Sequence, residues 1–243
     1  MNLLTVKRLS KHFGGVLALS NLDLEVGEGE IVGLIGPNGS GKTTFFNLVS
    51  GLMKPDTGLI RIRDQDITGR KAHQICKIGI ARTFQIVKPF TRMSPLENIM
   101  VGYAYGKRAS LSLEEARRNA EEILSFTGLE RKRVPRAGML NLIDRKRLEI
   151  ARALATRPKL LLLDEVMAGL NSSEIEDAMD FVKRIRDTGV TIIVVEHVMK
   201  AVLGISDRVV VLNVGVKIAE GTPPEIAGNE KVIQAYLGGE KYA

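Results

Sequence analysis

Tryptophan is absent from the 243 residues, and seven Phe and four Tyr bring the aromatic share to only 5%. Basic residues are not interleaved with aromatics, so the stacking platform of a single-strand nucleic-acid binder is missing. Cysteine is scarce as well. Cys76 stands alone, which excludes an intrachain disulfide and fits a reducing compartment. Long apolar runs are also lacking. Runs such as Val190-Thr191-Ile192-Ile193-Val194-Val195 fall far short of the roughly 20 residues that a membrane-spanning helix needs. The opening Met1-Asn2-Leu3-Leu4-Thr5-Val6-Lys7-Arg8 carries too few apolar residues for a secretory signal. Together these absences predict a chain that stays in the cytoplasm unless another chain holds it to a membrane. No internal repeat or low-complexity tract is visible.

What is present is ordinary in composition, with 44% hydrophobic and 26% charged residues, as in soluble globular proteins. The length permits one large domain or two small ones. The net charge of +7 is unevenly spread: residues 88–157 hold 15 Lys and Arg against 8 Asp and Glu, so the rest of the chain sums to zero. A solvated helical face is the plainest account of that surplus. Attraction to an anionic membrane surface or an acidic partner loop is a second. Nucleic acid is the weakest of the three, for want of aromatics.

The pattern of elements points to α/β architecture. Residues 30–35 form a buried-strand pattern that runs into a glycine-rich loop, and a helix is predicted over 42–50, ended by Gly51. The first third otherwise reads as short strands and turns, with alternation at 59–63 and a strand over 77–83. Residues 88–157 turn helical. Ser112 and Glu115 form a capping box, and a second strong helix is predicted over 144–156, stopped by Pro158. An apolar strand follows at 159–163. Ser173 and Glu176 suggest another capping box for a helix to about 187, then a strand at 191–195. A strand pair is expected at 208–212 and 216–219, and Thr222 with Pro223 opens a short last helix. Apolar strands alternating with helices argue for a parallel sheet, with the basic helical stretch as an insertion.

Gly36-Pro37-Asn38-Gly39-Ser40-Gly41-Lys42-Thr43-Thr44 matches the G-x-x-x-x-G-K-[ST] pattern in full. Glycines let consecutive backbone N–H groups turn inward around a phosphate, and the following helix presents its positive end to the same anion. In that arrangement Lys42 reaches the β- and γ-phosphates, and the Thr43 hydroxyl is a ligand for Mg²⁺. An apolar strand before the loop and a helix after it supply the required context. The motif specifies nucleotide binding, not what the energy does. A guanine-reading N-K-x-D sequence is missing, while a small-molecule kinase stays open on this loop alone.

Leu160-Leu161-Leu162-Leu163-Asp164-Glu165 is a buried strand ending in two carboxylates. Strands often end in acidic turn residues, so the pair alone decides little. Beside the phosphate loop it gains meaning: the carboxyl ends of such strands face the nucleotide. Asp164 is then placed to hold Mg²⁺, and Glu165 to polarise the attacking water as a general base. His197 follows the strand at 191–195 and is a candidate hydrogen-bond partner for the γ-phosphate. Gln85, after Ala81-Arg82-Thr83-Phe84, is either an ordinary loop glutamine or a ligand for Mg²⁺ or the attacking water. His12 and His73 have no such context and read as surface residues.

In this order the elements resemble the ATP-binding cassette of ABC transporters. Gly36 to Thr44 is similar to the Walker A motif, Leu160 to Asp164 to Walker B, Gln85 to the Q-loop and His197 to the H-loop. Phe13 falls where the family keeps an aromatic that stacks on adenine, and Ala168-Gly169-Leu170-Asn171 resembles the D-loop. Within the family the likeness is strongest to ATP-binding proteins of branched-chain amino acid importers, through Arg82-Thr83-Phe84-Gln85, Leu148-Glu149-Ile150-Ala151-Arg152-Ala153-Leu154-Ala155 and the tail from Glu220 to Gly238. The resemblance implies one P-loop NTPase domain over residues 1–243: an α/β core with an N-terminal antiparallel β subdomain (1–87 and 158–243) and an inserted α-helical subdomain (88–157). It implies an ATPase with ATP and Mg²⁺, energising amino acid uptake as a peripheral subunit on the cytoplasmic face of the inner membrane. The partners it implies are transmembrane permease subunits, a second ATP-binding subunit in a homo- or heterodimer and, indirectly, a solute-binding protein. A soluble ABC-type ATPase with a regulatory or nucleic-acid-linked role is the competing class.

The resemblance has one gap. The family's signature, commonly LSGGQ or LSYGQ, grips the γ-phosphate of ATP held by the opposite subunit. The matching slot here reads Leu140-Asn141-Leu142-Ile143-Asp144. Ile143 brings bulk where backbone must approach an anion, Asp144 brings negative charge toward phosphate, and Asn141 can still donate a hydrogen bond. Val166-Met167 and Ser172 also depart from the family's usual residues. The expectation is a chain whose own nucleotide face is complete, while the face it offers a partner is weakened, suited to an asymmetric pair.

Overall fold

The structure is a computed structural model that describes residues 1–85, 88–106, 112–132 and 136–237. It divides into two compact units, Met1–Ala72 with Met167–Ala243, and His73–Val166. The cut groups two short strands with the helices, whereas the sequence reading places them in the α/β core.

The first unit opens with two long strands, β1 (Asn2–Phe13) and β2 (Val16–Gly27), joined as an antiparallel hairpin. Leu22, Leu24 and Val26 alternate inward along β2, which is the period a half-buried strand requires. The expected short pieces are in fact 12-residue strands. Left-handed Arg8 and Asn21, together with shifts of register, interrupt the alternation and make each strand look like fragments. Strand β3 (Ile31–Ile35) is buried throughout and leads through the glycine-rich loop into α1 (Lys42–Val49). Strands β4 (Thr57–Ile62) and β5 (Gln65–Asp66) complete an antiparallel sheet in the order β2-β1-β4-β5.

The second unit begins with α2 (Ala72–Ile78) and β6 (Ile80–Arg82). The strand expected over 77–83 is therefore half wrong: Lys77 and Ile78 finish a helix, and Gly79, at φ 113°, makes the turn. Helix α3 (Pro95–Tyr105) carries a capping box from Ser94 and Glu97, and α4 (Leu113–Phe126) one from Ser112 and Glu115. Helix α5 (Leu142–Ala155) starts two residues before the expected 144, because the Asn141 side chain accepts from the Asp144 amide and caps it. Ile99, Ala120, Leu124, Leu148 and Ala151 form the core of this unit. Gly102 lets α3 meet α5, since a Cβ there would lie 2.6 Å from the Arg152 carbonyl oxygen. Strand β7 (Leu160–Asp164) is buried at every residue and runs parallel to β6.

The chain then returns to the first unit. Asn171 and Glu174 cap α6 (Ser172–Asp187), two residues before the expected Ser173 and Glu176 box. Strand β8 (Thr191–Val195), helix α7 (Met199–Ile205), strands β9 (Arg208–Asn213) and β10 (Val216–Gly221), and helices α8 (Pro223–Ala227) and α9 (Glu230–Leu237) follow. Within this unit β3 is parallel to both β8 and β9, and β10 pairs antiparallel with β9. Ile35, Val202, Val209, Val211, Ile226 and Val232 pack as its core on the α7–α9 side. A parallel α/β core, an antiparallel β sheet and a helical region are thus all present.

Candidate functional site

In the first unit, β3 ends at Ile35 and the chain makes three left-handed turns, with φ 150° at Gly36, 77° at Gly39 and 105° at Gly41. Only glycine fits two of them. A Cβ on Gly36 would lie 2.1 Å from the Leu212 carbonyl oxygen, and one on Gly41 would lie 2.5 Å from that of Ala18. The loop closes on Lys42, which is 7% exposed. Its ammonium donates to the carbonyls of Gly36 at 2.7 Å and Pro37 at 2.9 Å, and reaches the Ser40 hydroxyl at 3.4 Å. Helix α1 has Gly41 as its N-cap and no side-chain cap, so its first N–H groups have no intrahelical partner. Asn38, Gly39 and Thr43 are exposed and Thr44 is half-buried. Inward amides, one ammonium and an open threonine hydroxyl suit a triphosphate and its metal.

Three more features belong to this unit. Phe13, 46% exposed, pairs with Val16 at the end of the β1–β2 hairpin, two residues along β2 from the Ala18 that packs on Gly41. An exposed aromatic is a ready stacking surface. Tyr236 of α9 takes a hydrogen bond from the Gly36 backbone, and burial raises its hydroxyl's pKa against that bond. Beyond β8, His197 is exposed, while Glu196 is buried and accepts from the Met167 amide at 2.7 Å. That bond fixes the start of the Ala168-Gly169-Leu170-Asn171 turn. Ala168 and Gly169 are exposed there, and Asn171 serves as the α6 cap. His12 and His73 are exposed, and His12 contacts Asp56.

In the second unit, β7 delivers Asp164 almost fully buried, and its carboxylate pairs with Arg82 of β6 at 2.8 Å. Glu165 sits next in a left-handed conformation at φ 51°, a strained state for a residue with a Cβ. The Gln85 side-chain amide donates to the Glu165 carboxylate at 2.7 Å, so the two residues singled out on separate segments meet. The signature-like segment differs from its expectation. Asp144 is 8% exposed and lies 3.3 Å from Lys132, so its charge is paired within the unit instead of being thrust outward. Asn141 uses its carbonyl as a helix cap. Ile143 is half-buried.

Among the described residues no group of three or more His, Cys, Asp or Glu gathers into a metal-holding cluster. Mg²⁺ carried by a nucleotide does not need one, because it keeps waters and phosphate oxygens and takes one or two protein ligands. Thr43, Gln85 and Asp164 are of the hard-oxygen type it prefers. Sequence reasoning missed Arg82, Lys146, Glu149, Glu196 and Tyr236. A charged residue closing the apolar run Ile80-Ala81-Arg82 is the one local signal that marked any of them.

Comparison with known proteins agrees with this geometry. Residues 19–168 match the model described as ABC transporter, and residues 216–242 match the model described as branched-chain amino acid ATP-binding cassette transporter. The high-affinity branched-chain amino acid transport ATP-binding protein LivG of Escherichia coli is 42% identical over 249 residues, covering 97% of this chain and 98% of its own. BraF of Pseudomonas aeruginosa, described in the same words, is 40% identical over the same shares. The crystal structure of the ADP conformation of MJ1267, an ATP-binding cassette of an ABC transporter, superposes with a TM-score of 0.89 at 32% identity, covering 98% of this chain and 99% of that one. The chain belongs to the ABC transporter family as an ATP-binding cassette, and its activity is the hydrolysis of ATP.

Proposed function

We propose that this cassette energises an importer of branched-chain or related amino acids, as a peripheral subunit on the cytoplasmic face of the membrane. Phe13 stacks on adenine, the loop from Gly36 to Thr44 cradles the phosphates, and Lys42 neutralises the β- and γ-phosphates. Thr43, Gln85 and Asp164 hold Mg²⁺, which when bound offsets the charge developing on the phosphate oxygens. Glu165 orients and deprotonates the attacking water, with Gln85 fixing its carboxylate, and His197 steadies the γ-phosphate. A second ATP-binding subunit supplies a signature to this nucleotide, with the segment 168–171 at the contact. Two permease subunits carry the solute, and an external binding protein delivers it.

The observation that carries the transport reading is the match of residues 216–242 to the branched-chain cassette model, on a chain whose loop holds a buried Lys42. Reconstitution tests it. With its permease subunits and binding protein in vesicles, the chain should hydrolyse ATP faster when the binding protein is loaded with leucine, isoleucine or valine, and labelled leucine should enter. Glu165→Gln should keep nucleotide binding and lose at least about a hundredfold in turnover, the scale of general-base loss. Hydrolysis indifferent to all three amino acids would refute the cargo.

A further inference from the structure

Helix α5 begins at the altered signature segment, yet its most telling contacts lie further along. Residues 146, 149 and 152 recur at a spacing of three and so follow one ridge of the helix. Lys146 and Glu149 hold Glu165 and the residue before Gln85, and Arg152 holds Lys88 and Phe90 beyond it. The Lys146 ammonium, on a residue 8% exposed, reaches the Glu165 carbonyl at 3.4 Å. The Glu149 carboxylate accepts the Phe84 backbone N–H at 2.7 Å, one residue before Gln85. Arg152 donates to the Lys88 carbonyl at 3.1 Å and lies 4.7 Å from the centre of the Phe90 ring. Between these grips, Gln85 holds the Glu165 carboxylate.

Two physical facts give the ridge a purpose. Glu165 occupies a left-handed backbone state, strained for a residue with a Cβ, which persists only where the surroundings over-determine it. A cation on its carbonyl is one such restraint. Gln85 in turn sits on an exposed loop end, where the bond from the preceding Phe84 amide to Glu149 anchors its backbone. Proton abstraction from water tolerates little misplacement, so such restraints bear on rate more than on nucleotide affinity.

We propose that Lys146, Glu149 and Arg152 are positioning residues for ATP hydrolysis: one ridge of α5 holds the backbones around Gln85 and Glu165 in register, and ties both to the helix whose first turn carries the signature segment. The inference rests on Gln85 and Glu165 acting in hydrolysis as proposed above. None of the three ridge residues touches nucleotide or water in this account.

The test compares Glu149→Gln, whose side-chain carbonyl can still accept from Phe84, with Glu149→Leu, which cannot, in the full chain. Glu149→Leu should lower kcat by about tenfold or more while KM for ATP and the Kd of a fluorescent ATP analogue stay within about twofold, because misplacement weighs on the chemical step. Hydrogen exchange at the Phe84 amide should speed up in the same variant. Glu149→Gln should keep kcat within about threefold of the parent and keep the amide protected. The pair Lys146→Met and Lys146→Gln repeats the comparison at Glu165, and decides the matter even where Glu149→Leu does not fold. Unchanged kcat in the variants that cannot make the bond overturns the proposal. So does a parallel loss of kcat and nucleotide affinity, or a glutamine variant as impaired as the leucine one. A parent chain that binds nucleotide yet is untouched by Glu165→Gln would instead defeat the assignment of Glu165, a distinguishable failure.

Discussion

At the scale of single residues, the Arg82–Asp164 pair governs how the Asp164 carboxylate survives burial. The two side chains are 6% and 7% exposed, so their 2.8 Å pairing compensates each for lost water. Removing one partner of such a pair leaves an uncompensated charge, whereas the intact pair adds little net stability. Arg82→Met should therefore lower the unfolding free energy by about 3 kcal/mol, read from urea titration followed by circular dichroism. A change below about 1 kcal/mol would show that Asp164 finds its compensation elsewhere. Glu165 makes the complementary case. Its left-handed backbone is tolerated because Gln85 and Lys146 hold both ends of the residue.

At the scale of elements, α5 joins a capped first turn to a half-buried carboxylate. Burial is the chief cause that pushes Glu149 from its ordinary value of 4.5 up to about 7, opposed by the Phe84 amide and by Arg152 and Lys146, and reinforced by Asp164. The folded chain thus holds this proton more tightly than the unfolded chain does. Its stabilising contribution is fully present below the unfolded value and is lost as pH rises through about 7. Tm measured from pH 4.5 to 8 should carry a downward component across that window, and Glu149→Gln should flatten it. An identical Tm profile in both proteins would remove Glu149 as its source. The same helix shows why its start was misplaced by two residues: caps are set by side-chain geometry, and Asn141 is as good a cap as any residue of the segment.

At the scale of the whole molecule, the altered signature predicts asymmetry between subunits. Asp144 pairs with Lys132, so on the proposed reading the bulk of Ile143 is what would hinder a partner's phosphate. The lone chain should hydrolyse ATP at least about tenfold more slowly than a mixed pair with an intact cassette, the scale of losing one transition-state donor. Ile143→Gly should recover part of that deficit. Equal rates for the lone chain and the mixed pair would end the idea. The surplus of seven positive charges within residues 88–157 should make any association through that stretch sensitive to salt.

The nucleotide loop was legible without coordinates because its chemistry is local: consecutive amides, one lysine and one hydroxyl all come from nine neighbouring residues. The α/β class was legible for the same reason, through apolar runs of strand length alternating with capped helices. The long hairpin was not, because left-handed Arg8 and Asn21 hide its continuity. Nor were Arg82 on Asp164, Glu149 on Phe84 or Glu196 on Met167, pairs that lie 82, 65 and 29 residues apart. Such contacts are decided by which strands and helices pack together. The amino-acid sequence determined that a triphosphate is bound. The tertiary structure decided that Arg82 pairs with the Asp164 carboxylate and that Gln85 meets the one on Glu165, since a buried charge must find its partner wherever packing places one.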